Sequence, residues 1–277
     1  MSLTTLAMFI YTVLLKPPPL RWIADRVLLL IIPKQVRIPE GTLTLHPHDP
    51  VISGALALGV YETYQLDVFR SVVQSGMTVL DIGANIGIYT VIAAQKVGES
   101  GRVYAFEPEQ ENFHLLQQNI TNNLFLNTEA IQVAVADAHG ELTLHVAKSN
   151  KGQHSLLSLP DAEGEQRVQT ISIDAWAHGK KIPKIDVIKI DIQGAESLAF
   201  AGMQETLATR PVLLMEYEPR FIRESGNDPL AMLEMLLAFG YTLYDIDEGT
   251  KHIEKIENTE TFTSALRDGK YANLLCR

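Results

Sequence analysis

Cysteine is nearly absent from these 277 residues: Cys276 stands alone, so no intrachain disulfide can form. That favours a reducing, cytoplasmic setting. Neither a CxxC nor an HExxH pattern occurs, and no zinc site is expected. No apolar run reaches the ~20 residues that a bilayer-spanning helix requires. The uncharged stretch from Leu3 to Leu15 has 13 residues, and its nearest positive charge, Lys16, follows it rather than leading it as in a secretory signal. Basic residues are outnumbered, 23 Lys and Arg against 33 Asp and Glu, for a net charge of −10. A nucleic-acid binder would need a basic footprint, so no nucleic-acid partner is expected. Repeats and low-complexity tracts are also missing.

What is present is apolar content of 46%, enough for a sizeable core in one α/β domain with an appendage. The segment on which the rest depends is MTVLDIGANIGIYT, residues 77–90. Thr78, Val79, Leu80 and Ile82 read as a strand buried on both faces, as parallel strands covered by helices are. Gly83 and Gly87 flank a tight turn, and from Ile88 apolar residues recur at helical spacing. Strand, glycine turn and helix open a nucleotide-binding βαβ unit. A dinucleotide fingerprint has a third glycine where Asn85 stands. Asp81 would repel a pyrophosphate and attract a ligand bearing ammonium and sulfonium groups, as S-adenosylmethionine does. Alternatively, Asp81 only braces the loop. Glu107 follows 26 positions after Asp81, at the end of the apolar run Val103–Phe106. That is near the ~20-residue spacing of an acid that holds a ribose.

At VLDIGANIGIYT (79–90), YAFEPEQENFHLLQQNI (104–120), VAVADAHGELTL (133–144) and IDVIKIDIQGAE (185–196) the chain resembles the FkbM family of S-adenosylmethionine-dependent methyltransferases. The likeness covers roughly residues 51–277 and departs at Gln193, where the family usually carries an acid. It implies an α/β, Rossmann-like class I methyltransferase fold, with a mostly parallel seven-stranded sheet, helices on both faces and a C-terminal antiparallel strand pair. It also implies that Asp81, Gly83, Asn85 and Gly87 line the methionine part of the cofactor and that Glu107 holds the ribose. Ala136 and Asp137 would flank adenine, Glu62 would lie close to the pocket, and Asp191 would sit near the transferring methyl. The implied acceptor is a hydroxyl of a sugar, glycolipid or polyketide-like molecule.

Five expected strands end in an acid: Asp81, Glu107, Asp137, Asp191 and Glu216. Ligands of open α/β sheets lie outside the carboxyl ends of the strands. This edge should therefore be strongly acidic, with no basic residue among the five, and suit a cationic ligand or a metal ion. Acids that merely cap the following helices are the plainer alternative. A hydroxyl acceptor loses its proton as it attacks. Asp191 is the first candidate base and His154, in a polar stretch over 147–167, the second; Asp191 could instead bind the cofactor's amino group. A cofactor-binding module without catalysis is the competing reading.

Two regions are expected, an apolar and basic arm over 1–38 and a catalytic domain over 39–277. Five basic residues stand against Asp25 alone in the arm, and Pro17, Pro18, Pro19 and Pro33 break it into two short amphipathic helices. The arm packs on the domain, on a second subunit, or on a membrane surface, the last favoured by Trp22 and the basic charge. Further expectations are helices over 53–75 and 109–122, a third parallel strand over 131–135, a single helix from Gly194 past Leu207, and a surface turn at His46, His48 and Asp49.

Overall fold

The computed structural model describes residues 32–147, 151–152, 154–156, 162–266 and 270–277. Most of the expected arm, residues 1–31, lies outside these, so its helices and its docking surface are not addressed. Among the described residues no helix is long and apolar enough to cross a membrane.

Thirteen strands are described. Beyond Pro33, Val36 and Ile38 and then Leu43 read as a short strand pair, and they form one: β1 (Gln35–Ile38) pairs antiparallel with β2 (Gly41–Thr44). Then come β3 (Thr78–Ile82), β4 (Arg102–Phe106) and β5 (Thr128–Ile131), with β6 (Ala134–Val135), β7 (Gly140–Ala147) and β8 (Ala162–Ile171) after them. The last five are β9 (Val187–Ile190), β10 (Val212–Tyr217), β11 (Leu243–Asp247), β12 (His252–Lys255) and β13 (Ala272–Cys276). The main sheet runs β12-β11-β13-β10-β9-β3-β4-β5, with β10 through β5 parallel and β13, β11 and β12 antiparallel. It is the expected α/β class with eight strands in place of seven, because β12 extends the antiparallel pair.

Unbroken apolar strands follow from this layering. Along β3, Val79 enters one core cluster while Leu80 and Ile82 enter the other, on the opposite face. In β9, Val187 faces the first cluster, whereas Ile188 and Ile190 face the second. Alternation persists, but both sides are apolar since helices cover both. Strand order reverses between β3 and β9, the switch point where open α/β sheets bind ligands.

Several boundaries differ from expectation for local reasons. The parallel strand is Thr128–Ile131; Ala134–Val135 crosses into a separate three-stranded sheet with β8 and β7. β8 starts at Ala162, inside the stretch expected to be a polar connection. The helix expected over 53–75 is two, Ile52–Leu58 and Thr63–Val72, because Gly59 and Glu62 both take left-handed conformations. His46 and Asp49 are buried rather than at a surface turn. The Asp49 carboxylate accepts the backbone N–H groups of Val51, Ile52 and Ser53, satisfying donors that a helix start leaves free.

After β9 the helix is also split, into Glu196–Ala201 and Gln204–Ala208. Gly202 sits at the break, where a Cβ would lie 2.1 Å from the Ala136 carbonyl oxygen. The main sheet's helical layer and the end of β6 thus meet backbone to backbone. Gly202→Ala is expected to cost about 1–3 kcal/mol, as overpacking does in a filled core. Urea unfolding checks this, and an unchanged midpoint would contradict it.

Candidate active site

The glycine turn begins where β3 ends. Gly83 and Ala84 both donate to the Phe106 carbonyl, at 2.9 and 3.0 Å, so the turn leans on β4. Gly83 has φ +77°, and a Cβ there would lie 2.0 Å from the Asp191 carbonyl. Only glycine permits both the conformation and the approach of β9. Gly87 precedes the helix Ile88–Val97, and Asn85 takes a left-handed φ of 52° with its own Oδ1 accepting the Ile86 N–H.

A cleft opens above this turn, with about 810 Å³ of empty space when its open mouth is included, within the range of small-molecule sites. Gly83, Asn85, Gly87, Glu107, His154 and Asp191 line it. Glu62 and Asp81 do not; they stand behind the lining residues Tyr89 and Lys189. Asp137 is exposed and Ala136 buried, and neither reaches the cleft; Val133, Ala134 and Val135 do. The chain crosses into the small sheet there, carrying Ala136 and Asp137 away.

Glu107 is 5% exposed, and its two oxygens accept the N–H groups of Asn85 at 2.8 Å and Glu109 at 2.9 Å. Burial nevertheless raises its pKa to about 8, with the two N–H donors opposing the rise. Phe106, Val133, Val135, Leu144 and Leu156 form an apolar slot beside it. The segment after β7 covers the cleft: the Lys151 carbonyl accepts from Asn85 Nδ2 at 2.8 Å and from Asn112 Nδ2 at 2.9 Å. His154 Nδ1 accepts the Ala147 N–H, and burial pushes its pKa down to about 4. The neutral ring then carries its proton on Nε2, which has no partner among the described residues.

The edge is acidic but not free of cations. Lys189 lies in mid-strand, side by side with Asp81 of β3 in the parallel register. Its side chain is 5% exposed, with Nζ 3.2 Å from Asp191 Oδ2 and 4.8 Å from the centre of the Tyr89 ring. Burial opposes its charge, but Asp191, Asp81 and Glu62 together raise its pKa. Asp81 is fully buried and accepts from Thr90 Oγ1 at 2.5 Å. Burial raises its pKa, against the pull of Lys189. Tyr89 donates to Glu62 Oε2 at 2.6 Å, and burial brings Glu62 to about 7. At Asp191 burial favours the neutral form, yet Lys189 and Gln193 hold its pKa below the usual carboxylate range.

Sequence reasoning missed Lys189, Tyr89 and Lys151. Lys189 had a signal: a lysine inside VIKI, an otherwise apolar strand, must be paired if it is buried. The donor set suits S-adenosylmethionine: a braced carboxylate for a ribose diol, an apolar slot for a flat purine, and the ionised Asp191 for a cationic centre. Among the described residues no group of three or more His, Cys, Asp or Glu could hold a metal ion.

Comparison with known proteins gives a consistent picture. The Methyltransferase FkbM domain family matches residues 81–243. The hexuronic acid methyltransferase AglP of Haloferax volcanii is 25% identical over 157 residues, 56% of this chain and 59% of that protein. The 2-O-methyltransferase NoeI of Sinorhizobium fredii is 26% identical over 197 residues, covering 64% of this chain and 79% of that one. The methyltransferase sdnD of Sordaria araneosa is 22% identical over 179 residues, 52% of this chain and 68% of that one. The chain thus spans less than two thirds of the first of these relatives.

Removing the buried cation tests the charge arrangement. Lys189→Met leaves Asp81, Glu62 and Asp191 without their shared partner, and should cost about 3–5 kcal/mol at pH 8. Without Lys189 the folded-state pKa values of Asp81 and Glu62 rise further above their unfolded values, and Asp191 loses the nearby charge that holds its own down. The variant should therefore regain stability as pH falls from 8 to 5. Chemical denaturation across that range checks both; a pH-independent loss under about 1 kcal/mol would contradict the arrangement.

Proposed function

The chain belongs to the FkbM methyltransferase family, and from that premise we propose that it is an S-adenosylmethionine-dependent O-methyltransferase acting on a hydroxyl of a sugar-like acceptor. The observation that carries this reading is the cleft at the β3–β9 switch point, which Glu107, an apolar slot and the ionised Asp191 line together. The acceptor class is supported by the relatives named for a hexuronic acid and for a 2-O position.

S-adenosylmethionine, when bound, supplies an electrophilic methyl on a positive sulfur. Glu107 accepts the ribose hydroxyls, and the N–H groups of Asn85 and Glu109 keep its carboxylate from turning. Phe106, Val133, Val135, Leu144 and Leu156 exclude water from the purine. Asp191, fixed by Lys189 and Gln193, presents negative charge to the cationic end. Much of the acceleration of an in-line displacement comes from such positioning.

The acceptor proton also needs a destination. Asp191 is ionised over the whole working range, and a hydroxyl grows strongly acidic as its oxygen gains a methyl, so even a weak base suffices. His154 serves differently. With Nδ1 occupied by the Ala147 N–H, its Nε2–H donates to an acceptor oxygen and orients it rather than removing its proton.

Isothermal calorimetry with S-adenosylmethionine and with NAD tests the cofactor, and transfer of labelled methyl to a panel of methyl glycosides tests the reaction. Binding at pH 7 should release protons, because a Glu107 with pKa about 8 in the free protein ionises once hydroxyls donate to it. Glu107→Gln should weaken binding by about tenfold or more and abolish the release. NAD binding without S-adenosylmethionine binding would overturn the reading, as would cofactor binding with no transfer to any hydroxyl.

A further inference from the structure

Gln193 is one of seven described non-glycine residues with positive φ, at 52°. Its Nε2 has two hydrogens and spends them on two carboxylates, Asp191 Oδ1 at 2.8 Å and Glu216 Oε2 at 2.6 Å. Its carbonyl accepts from Ser155 Oγ at 2.9 Å, which ties the turn to the segment covering the cleft. A side chain held in a sparsely populated backbone conformation between two acids invites a functional explanation.

We propose that Asp191 and Glu216 form a proton-sharing carboxyl pair, that Gln193 is the positioning residue holding it together, and that this pair receives the acceptor's proton. The proposal rests on the methyltransferase reading above. Two carboxylates joined by one amide cannot both ionise cheaply. Of the two carboxyls the Lys189 ammonium pairs with Asp191, at 3.2 Å, so the negative charge settles there and the shared proton on Glu216. The titration tendencies agree. Burial, then the Asp191 charge, raise Glu216 well above the usual range, and Asp191 lies below it.

Other charged and titratable groups face the pair from each neighbouring element. Lys189 lies on its own strand and Asp81 on β3. Glu196 belongs to the following helix, and Glu62 and Tyr61 precede the helix Thr63–Val72. Tyr271 precedes β13. Only Lys189 among them favours ionisation.

In the reaction the acceptor oxygen forms a bond to the methyl carbon while the carbon–sulfur bond breaks, leaving its electron pair on sulfur. The hydroxyl proton passes to the Asp191 carboxylate. The pair then holds two protons, and the loss of one to water restores it.

Two measurements on the full-length protein decide the matter. In the first, carboxyl carbons of labelled Asp and Glu are followed by NMR through a pH titration. Glu216 should titrate above the ~4.3 of a free glutamate, and Asp191 below ~3.9. In Gln193→Leu, which fills the same space without the two donors, the Asp191 step should rise by about one pH unit or more. In the second, the acidic limb of kcat/KM for methyl transfer to a methyl glycoside should rise with it, while the calorimetric Kd for S-adenosylmethionine at pH 8 stays within about threefold. Gln193→Glu, closest to the native shape, should move both in the same direction. Independent titration of the two acids at ordinary values would overturn the proposal, and so would a limb unmoved by either variant. A wild-type protein that shows the two-step titration but binds no S-adenosylmethionine would instead overturn the methyltransferase reading.

Discussion

A lysine ammonium held in the middle of a parallel sheet sets the terms for everything around it. Taking one such ion out of water costs several kcal/mol, and a single surface-type ion pair would not offset that. Lys189 is compensated instead by Asp81 beside it in register, by Asp191 two residues on, and by Glu62 beyond the Tyr89 ring. The dependence is mutual. Those three acids are themselves buried or half-buried, and without the ammonium each would be driven toward its neutral form. The charge of Asp191, the proton on Glu216 and the orientation of Tyr89 all follow from where that cation sits.

The sheet makes the arrangement available. β3 and β9 are neighbours at the strand-order reversal, and both strands present Asp81 and Lys189 to the same face. Gly83 lets the two strand ends close to backbone contact, which brings Asp191 over the start of the glycine turn. The cleft is therefore built from adjacent elements, with β4 adding Glu107 and the small sheet adding the apolar slot and a cover. Lys189 and Asp191 lie on the β9 side of the cleft, Glu107 and the apolar contacts on the β4 side. That division suits a ligand with a cationic end and a flat end.

Much of this was legible in the residues. The run from Thr78 to Thr90 announces strand, turn and helix, and the class of fold and the roles expected of Gly83, Asn85 and Glu107 come from a few positions in and after it. What escaped had physical causes. Residues 131–135 are apolar but for Gln132, and nothing in such a run marks where the chain leaves one sheet for another; Ala136 and Asp137, expected beside the ligand, stand off the cleft as a result. Gly202 reads as a tolerated helical glycine until the carbonyl of Ala136 is found against it. Lys189 is a single letter in an apolar strand, visible only to the rule that buried charge must be paired. Gln193 read as a departure from its family, whereas in the structure it is the bridge between two acids.

Direct observation of the Lys189 ammonium tests the central claim. Nitrogen NMR of its Nζ in the full-length protein, followed from pH 7 upward, reports whether the buried side chain keeps its proton. The surrounding carboxylates predict a pKa above the ~10.4 of a free lysine, with the ammonium signal persisting past that point. Deprotonation below about pH 9 would mean that burial outweighs the carboxylates, and would contradict the account of both the charge arrangement and the site.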